Sequence, residues 1–267
     1  MTYAPSVTSH HLLTQETVAA RSRALLGVGG VRYGRSGMNT AGLARGNERF
    51  RFSELPSSTE EIAAAAKTLR SPQTKVLTGK RATESAFKQA DLESFGVIHL
   101  AVHGFADQTN PERAALVLLS DPAEGEDGFL YSSEVAQLRL SAPLVVLSAC
   151  DSAVGPLQGQ EGIANLSRAF LLAGAKSVVS TVWPTDDASS SLLMRHFYAH
   201  LANRRGPEEA LTAAKRDVLR RYGVRAMPYH WAGFVIEGGG PRTVVQPRRI
   251  GDTIEQSRES KTTAVQH

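Results

Sequence analysis

Val97-Ile98-His99-Leu100-Ala101-Val102 and Leu144-Val145-Val146-Leu147-Ser148-Ala149 are the two stretches of sequence that decide the fold. Each is short, almost wholly apolar and bounded by turn-forming residues, which is typical of strands buried within a parallel sheet. The first runs directly into His103-Gly104 and the second into Cys150-Asp151-Ser152. Side chains just past the carboxyl ends of parallel strands line the crevice of an open α/β sheet, so an imidazole and a thiol meet there if the strands are neighbours.

Helices and strands alternate on both sides of these two stretches. Further strands are predicted at 23–28, 74–77, 177–183 and 230–236. A short extra strand is predicted at 115–119, where an edge position is one option. Helices are predicted at 58–70, 83–90, 131–138, 163–173, 186–203 and 207–222, and glycine-rich loops at 31–57 and 155–162. This alternation predicts a doubly wound, parallel α/β sheet.

The composition limits the functions open to the chain. The 267 residues are 42% hydrophobic, so a large core is expected. Aromatic residues make up only 6%, and the net charge of +4 is not accompanied by a recognition motif, so no nucleic acid is expected. A single cysteine fits a reducing compartment, and no signal peptide or membrane span is found. We therefore expect a cytoplasmic protein without a membrane partner.

Cys150 and His103 form the strongest candidate site. A cysteine acts as a nucleophile when it is a thiolate, and a nearby imidazole accepts its proton. His103 lies 47 residues upstream of Cys150, which is similar to the order and spacing in caspases. The alternative is a buried structural cysteine beside an ordinary histidine, but the two matching strand ends favour catalysis. The N–H groups of Gly104 and Cys150 are the candidate oxyanion donors.

The remaining polar residues are weaker candidates. Asp186 and Asp187 follow a predicted strand and are candidates for binding a cationic substrate side chain, although Asp186 also fits a helix N-cap. His99 and the pair His196 and His200 lack the glutamate or cysteine partners of zinc motifs, so core or surface histidines are expected. The glycines at 27–30 and 79 do not complete a nucleotide-binding motif. No metal and no cofactor are predicted.

Six blocks of the sequence, in the same order, resemble the CHAT domain, a caspase-like family of clan CD related to separase. The blocks are Tyr3-Ala4-Pro5-Ser6, Ile98-His99-Leu100-Ala101-Val102-His103-Gly104, Leu144-Val145-Val146-Leu147-Ser148-Ala149-Cys150-Asp151-Ser152, Arg168-Ala169-Phe170-Leu171-Leu172-Ala173-Gly174-Ala175, Val182-Trp183-Pro184-Thr185-Asp186-Asp187 and Tyr229-His230-Trp231-Ala232-Gly233-Phe234-Val235.

The resemblance implies a caspase-like three-layer sandwich, with a mostly parallel central sheet and helices on both faces. It implies a cysteine endopeptidase in which His103 is the general base and Cys150 the nucleophile. Trp183 and the neighbouring Asp186 and Asp187 would border the substrate pocket, together with Ser148. Separase cleaves after arginine, so cleavage after a basic residue is expected.

The resemblance also bears on domains and partners. We expect a lead-in at 1–22 that ends a truncated N-terminal subdomain, the peptidase domain at 23–237 and a disordered polar tail at 238–267. The expected partners are a protein substrate and an activating or regulatory protein. A protein with tetratricopeptide repeats is one candidate for this second partner. The alternative function is a latent or inactive protein-interaction module.

Overall fold

The computed structural model describes residues 2–3, 24–33, 52–105, 114–141, 144–148, 160–183, 185–225 and 227–238. Its strands are β1 (Thr2–Tyr3), β2 (Leu25–Gly29), β3 (Lys75–Thr78), β4 (Val97–Ala101), β5 (His103–Phe105), β6 (Ala115–Val117), β7 (Phe129–Tyr131), β8 (Leu144–Leu147), β9 (Ser177–Thr181) and β10 (Phe234–Gly238). Its α-helices are α1 (Pro56–Leu69), α2 (Glu84–Lys88), α3 (Ser132–Val135), α4 (Gln160–Leu172), α5 (Asp187–Ala202) and α6 (Pro207–Tyr222).

The main sheet has the order β1-β10-β9-β8-β4-β2-β3. The five strands from β9 to β3 pair in parallel, β10 is antiparallel to β9, and β1 is parallel to β10. Every residue of β2, β4 and β8 is buried, as their continuous apolar sequences predict for strands covered on both faces. The predicted parallel sheet is therefore confirmed for its centre and wrong at β10.

Two hydrophobic cores lie on opposite faces of the main sheet. Leu25 belongs to the core shared with α1, α5 and α6, whereas the next residue, Leu26, belongs to the other core with Phe170 of α4. Successive side chains of a strand point to opposite faces, so each buried strand supplies both cores. The result is a sheet layer between two helix layers, which is the predicted three-layer architecture.

A second, three-stranded antiparallel sheet has the order β5-β6-β7. The strand predicted at 115–119 is present as β6, but it is the middle strand of this sheet rather than an edge of the main one. Neither β5 nor β7 was expected, because a strand of three residues is too short to produce a recognisable alternation. The first residue of this small sheet is His103 of the predicted dyad.

Several predicted helix boundaries are confirmed by their capping contacts. The Thr83 hydroxyl accepts a hydrogen bond from the Ala86 N–H, and the Asp186 carboxylate accepts one from the Ser189 N–H. Helix α6 has the predicted limits, with Pro207 in its first turn. Helix α1 begins at Pro56, inside the predicted loop at 31–57. The last strand begins at Phe234 because a 3₁₀ turn at Pro228–His230 precedes it.

Some predictions concern residues outside the described ranges. These are most of the lead-in at 1–22, residues 34–51 of the first loop, residues 155–159 of the second and residues 239–267 of the tail. Within the described ranges, none of the helices is both long and apolar enough to cross a lipid bilayer.

Candidate active site

The carboxyl ends of β4 and β8 lie side by side, as the sequence predicts. Their parallel pairing runs from Val97 and Leu144 up to Leu100 and Leu147, and the Ser148 N–H then donates to the Leu100 carbonyl at 3.0 Å. His103 follows Leu100 by three residues. Cys150 follows Ser148 by two residues and lies outside the described ranges. The two chain segments that carry the predicted dyad therefore leave the sheet from adjacent positions.

The imidazole of His103 is held by a backbone carbonyl. Its Nε2 atom lies 2.6 Å from the Ser53 carbonyl oxygen, and the residue is fully buried. A carbonyl oxygen only accepts hydrogen bonds, so Nε2 must carry the proton in this contact. In a neutral imidazole the lone pair then resides on Nδ1. The Ser53 contact thus fixes both the orientation and the tautomer of the ring.

An aromatic shell surrounds the same imidazole. The ring of Tyr33 lies 4.8 Å from it and the ring of Phe52 lies 5.4 Å away, measured between centroids. The Tyr33 hydroxyl accepts from the His103 N–H and donates to the Val117 carbonyl, both at 3.1 Å. Burial raises the pKa of Tyr33 above its usual range, so this hydroxyl stays protonated. Tyr33 therefore ties the backbone of His103 to β6.

Gly104 and Ser148 are both buried. Gly104 is the second residue of β5 and pairs with Leu116. Ser148 directly follows β8 and is only 6% exposed. Their roles as oxyanion donor and substrate-binding residue remain predictions.

The two predicted acidic pocket residues both make helix-capping contacts. Asp186 is the exposed N-cap of α5, with its Oδ2 atom 2.9 Å from the Ser189 N–H. Asp187 is partly buried, and its Oδ2 atom accepts from the Ser57 N–H at 2.7 Å, in the first turn of α1. Asp187 therefore joins the beginnings of α1 and α5. The beginning of α1 is close in sequence to Ser53.

Replacing Asp187 with alanine is expected to destabilise the fold by about 1 kcal/mol, as for the loss of a helix N-terminal acceptor. Asp187→Asn keeps an acceptor oxygen and is expected to retain most of the stability. Urea denaturation of both variants measures the difference. If the Asp187→Ala variant is as stable as the wild type, the contact between Asp187 and Ser57 does not stabilise the fold.

Trp183 follows β9 and is partly exposed, and its indole is held in place by neighbouring residues. Its Nε1–H donates to the Tyr229 carbonyl at 3.2 Å. A Cβ atom placed on Gly233 would lie 2.8 Å from Trp183 Nε1, so only glycine allows this close packing. The predicted role of Trp183 in substrate binding is a proposal that these contacts do not address.

Two of the described histidines outside the predicted dyad, His99 and His200, have close acidic partners. In the core, His99 Nε2 lies 2.8 Å from Glu61 Oε1, and Nδ1 lies 2.9 Å from the Tyr198 hydroxyl. On the surface of α5, His200 Nε2 lies 2.6 Å from Asp217 Oδ2. This hydrogen bond to His200 lowers the pKa of Asp217. His99 links β4 to α1 and α5, a contact that no sequence spacing indicated.

One set of three carboxylates in the described ranges lies close enough together to share a metal ion: Glu84, Glu126 and Glu134. The Lys88 ammonium already contacts all three, at 2.7–2.8 Å. Burial alone would lower the pKa of Lys88, but hydrogen bonds to these glutamates outweigh it and raise the pKa. The cluster is therefore a partly buried ion-pair network centred on a lysine, in which Glu84 is the buried member.

Comparison with known proteins identifies the family. A model described as the CHAT domain matches residues 1–239. The chain belongs to the CHAT domain family. Tetratricopeptide repeat protein 28 of Mus musculus is 31% identical to this CHAT domain over 138 residues, and that of Homo sapiens is 29% identical over 138 residues. Each match covers 52% of this chain and 6% of the relative, so the chain spans a small part of these proteins.

The fold of this CHAT domain is caspase-like. The crystal structure of gingipain R, described as an Arg-specific cysteine proteinase, superposes with a TM-score of 0.50 and 12% sequence identity. The match covers 81% of this chain and 46% of gingipain R. Both the predicted family and the predicted fold class are thus confirmed. Ser53, Tyr33 and Phe52 are the residues around His103 that the sequence did not reveal.

Proposed function

We propose that this CHAT domain is a cysteine endopeptidase with His103 as general base and Cys150 as nucleophile. The observation that carries the proposal is the contact between His103 Nε2 and the Ser53 carbonyl at 2.6 Å, at the end of the strand next to β8. A histidine that serves as a base needs a defined tautomer and a fixed ring, and this contact supplies both. The caspase-like fold and the CHAT family support the same assignment.

The reaction follows from the tautomer. Nδ1 of His103 takes the proton of the Cys150 thiol, and the thiolate attacks the carbonyl carbon of the peptide bond. The N–H groups of Gly104 and Cys150 stabilise the oxyanion. The imidazolium then donates its proton to the departing amine, which leaves a thioester on Cys150. Water, deprotonated by the same imidazole, hydrolyses the thioester and releases the thiol.

The proposed substrate is a protein cleaved after a basic residue. The carboxylates of Asp186 and Asp187 supply negative charge beyond the end of β9, where the resemblance to separase places the substrate pocket. Since Asp187 also holds α1 through Ser57, a cationic side chain bound there would share this carboxylate with the helix. The similarity to tetratricopeptide repeat protein 28 supports a regulatory partner that carries tetratricopeptide repeats.

The pKa of the Cys150 thiol tests the dyad without a substrate. Because Cys150 is the only cysteine, the rate of alkylation by iodoacetamide against pH reports this one thiol. We expect an apparent pKa at least about one unit below the ordinary value of ~8.5. His103→Ala is expected to return it towards ~8.5, whereas His200→Gln, which removes a histidine elsewhere, should leave it unchanged.

An alkylation profile centred at ~8.5 in the wild type, and unmoved in His103→Ala, would refute an activated thiol. The chain would then fit the alternative function of a CHAT interaction module. Circular dichroism of each variant establishes that the comparison is made between folded proteins.

A further inference from the structure

A groove of about 480 Å³ lies between α6 and β10, on the face of the main sheet opposite the aromatic shell of His103. Helix α6 packs into the core that contains Phe234, whereas Tyr33 and Phe105 belong to the other core. The groove therefore lies apart from His103, and Trp183 is the one predicted site residue among those that line it. Its apolar walls are formed by Trp183, Leu211, Leu219, Trp231, Phe234 and Ile236.

One wall of the groove is rigid before any ligand binds. The Trp183 indole packs directly against Gly233 and donates its N–H to the Tyr229 carbonyl. An aromatic wall that is already fixed loses little conformational entropy on binding. This geometry favours recognition of an apolar side chain in a defined position.

Lys215 brings an uncompensated positive charge into the same groove. Its ammonium donates to the Phe234 carbonyl at 2.5 Å and to the Ala232 carbonyl at 3.4 Å. In the described ranges no carboxylate forms an ion pair with it, although Glu208 also lines the groove. Burial of the ammonium lowers the pKa of Lys215. Lys215 is partly buried, and its ammonium would gain from an anion bound in the groove because carbonyl oxygens do not neutralise its charge.

Three exposed apolar residues are close in sequence to residues that line the groove. Tyr229, whose carbonyl receives the Trp183 N–H, is 48% exposed, and Met227 is 62% exposed. At the end of α6, Tyr222 is 45% exposed. Exposed apolar side chains on these segments would add contact area for a bound protein segment. Arg216, which is also exposed and lines the groove, extends the positive charge of Lys215 towards solvent.

We propose that this groove docks an acidic segment of a partner protein, with a carboxylate on Lys215 and an adjacent apolar side chain against Trp183 and Trp231. The charge of the two basic residues selects the acidic group, and the indoles select its neighbour. Binding here does not use His103 or Cys150, so it stands independently of the proposed peptidase activity.

Intrinsic fluorescence provides a direct test, because the two tryptophans of the chain both line the groove. The probe is a library of capped octapeptides with Asp or Glu next to Leu or Phe, titrated into the full chain carrying Cys150→Ala. A matched library has Asn or Gln in place of the acidic residues. We expect a saturable change in tryptophan emission with acidic peptides and at least tenfold weaker binding of the amide peptides.

Variants and a small anion separate the possible outcomes. Lys215→Met is expected to weaken the binding of acidic peptides at least tenfold, whereas Lys215→Arg should retain it. Lys75→Met, which changes an exposed lysine on β3, should have no effect on this binding. Equal binding of both libraries, or no emission change with either, would overturn the proposal. An equal response to sodium acetate would also overturn it, since it would indicate a small-anion site rather than a protein-docking groove.

Discussion

Replacing Cys150 with alanine is expected to abolish cleavage of a diverse peptide library, with a loss of at least about 10⁴-fold relative to the wild type. No other cysteine can substitute for the nucleophile, because the chain has only one. Mass spectrometry of the library before and after incubation identifies each cut and the residue that precedes it. Cuts that disappear in Cys150→Ala, and that follow Lys or Arg in the wild type, are the expected result.

The same assay tests whether His103 and Cys150 act together. If Nδ1 of His103 takes the thiol proton, then His103→Ala and the double variant should be nearly as inactive as Cys150→Ala, because groups that act as a unit are not additive. Asp151→Asn is the matched control, since it changes the neighbouring carboxylate and should retain cleavage. Cleavage that survives in Cys150→Ala would rule out the proposed nucleophile.

The sequence predicts the framework of this site because that framework is made of continuous apolar strands. Strands β4 and β8 are buried on both faces, so the positions of their carboxyl ends can be recognised in the sequence. Two of the blocks that resemble the CHAT domain contain these same two segments. For these reasons the adjacency of the segments that lead to His103 and Cys150 was predictable.

The contacts that orient His103 were not predictable in the same way. The acceptor for Nε2 is a backbone carbonyl, and every residue has one, so Ser53 carries no signature in its residue type. Tyr33 reaches His103 from 70 positions upstream. Its position just after β2, at the same end of the sheet, was the available signal. Strands β5 and β7 of the small sheet were missed because three residues have no measurable period.

The second large effect is expected on stability, when Lys88 is replaced by methionine. Methionine keeps an unbranched apolar stem but removes the ammonium that contacts Glu84, Glu126 and Glu134. Glu84 is only 1% exposed, so its carboxylate would be left buried without a cation. Removing one member of a buried ion pair costs about 3–5 kcal/mol, and we expect a loss of this size in the free energy of unfolding at pH 7.

The pH dependence distinguishes lost charge from lost packing. Burial raises the pKa of Glu84, and without Lys88 the three neighbouring carboxylates would raise one another's pKa values further. A carboxyl group whose pKa is higher in the folded than in the unfolded state takes up its proton first in the folded state. The deficit of Lys88→Met is therefore greatest above the folded-state pKa values and shrinks as the pH falls towards about 5.

Urea denaturation at pH 7 and at pH 5 measures this deficit. Lys88→Met combined with Glu84→Gln and Glu126→Gln is the matched control, because it removes the buried charge that lost its cation and one neighbouring charge, and should recover much of the lost stability. A deficit that is the same at both pH values, and is not recovered in the triple variant, would assign the role of Lys88 to packing alone.

The network has a consequence for the site because it supports the sheet that carries His103. Glu134 also accepts a hydrogen bond from the Tyr131 N–H, and Glu84 accepts one from the Gly128 N–H, at the two ends of β7. Strand β7 pairs with β6, and β6 pairs with β5, where His103 lies. Without the Lys88 ammonium, repulsion among the glutamates acts on both ends of β7. We therefore expect Lys88→Met to loosen the His103 strand before the main sheet unfolds, and hydrogen exchange at β5 measures it.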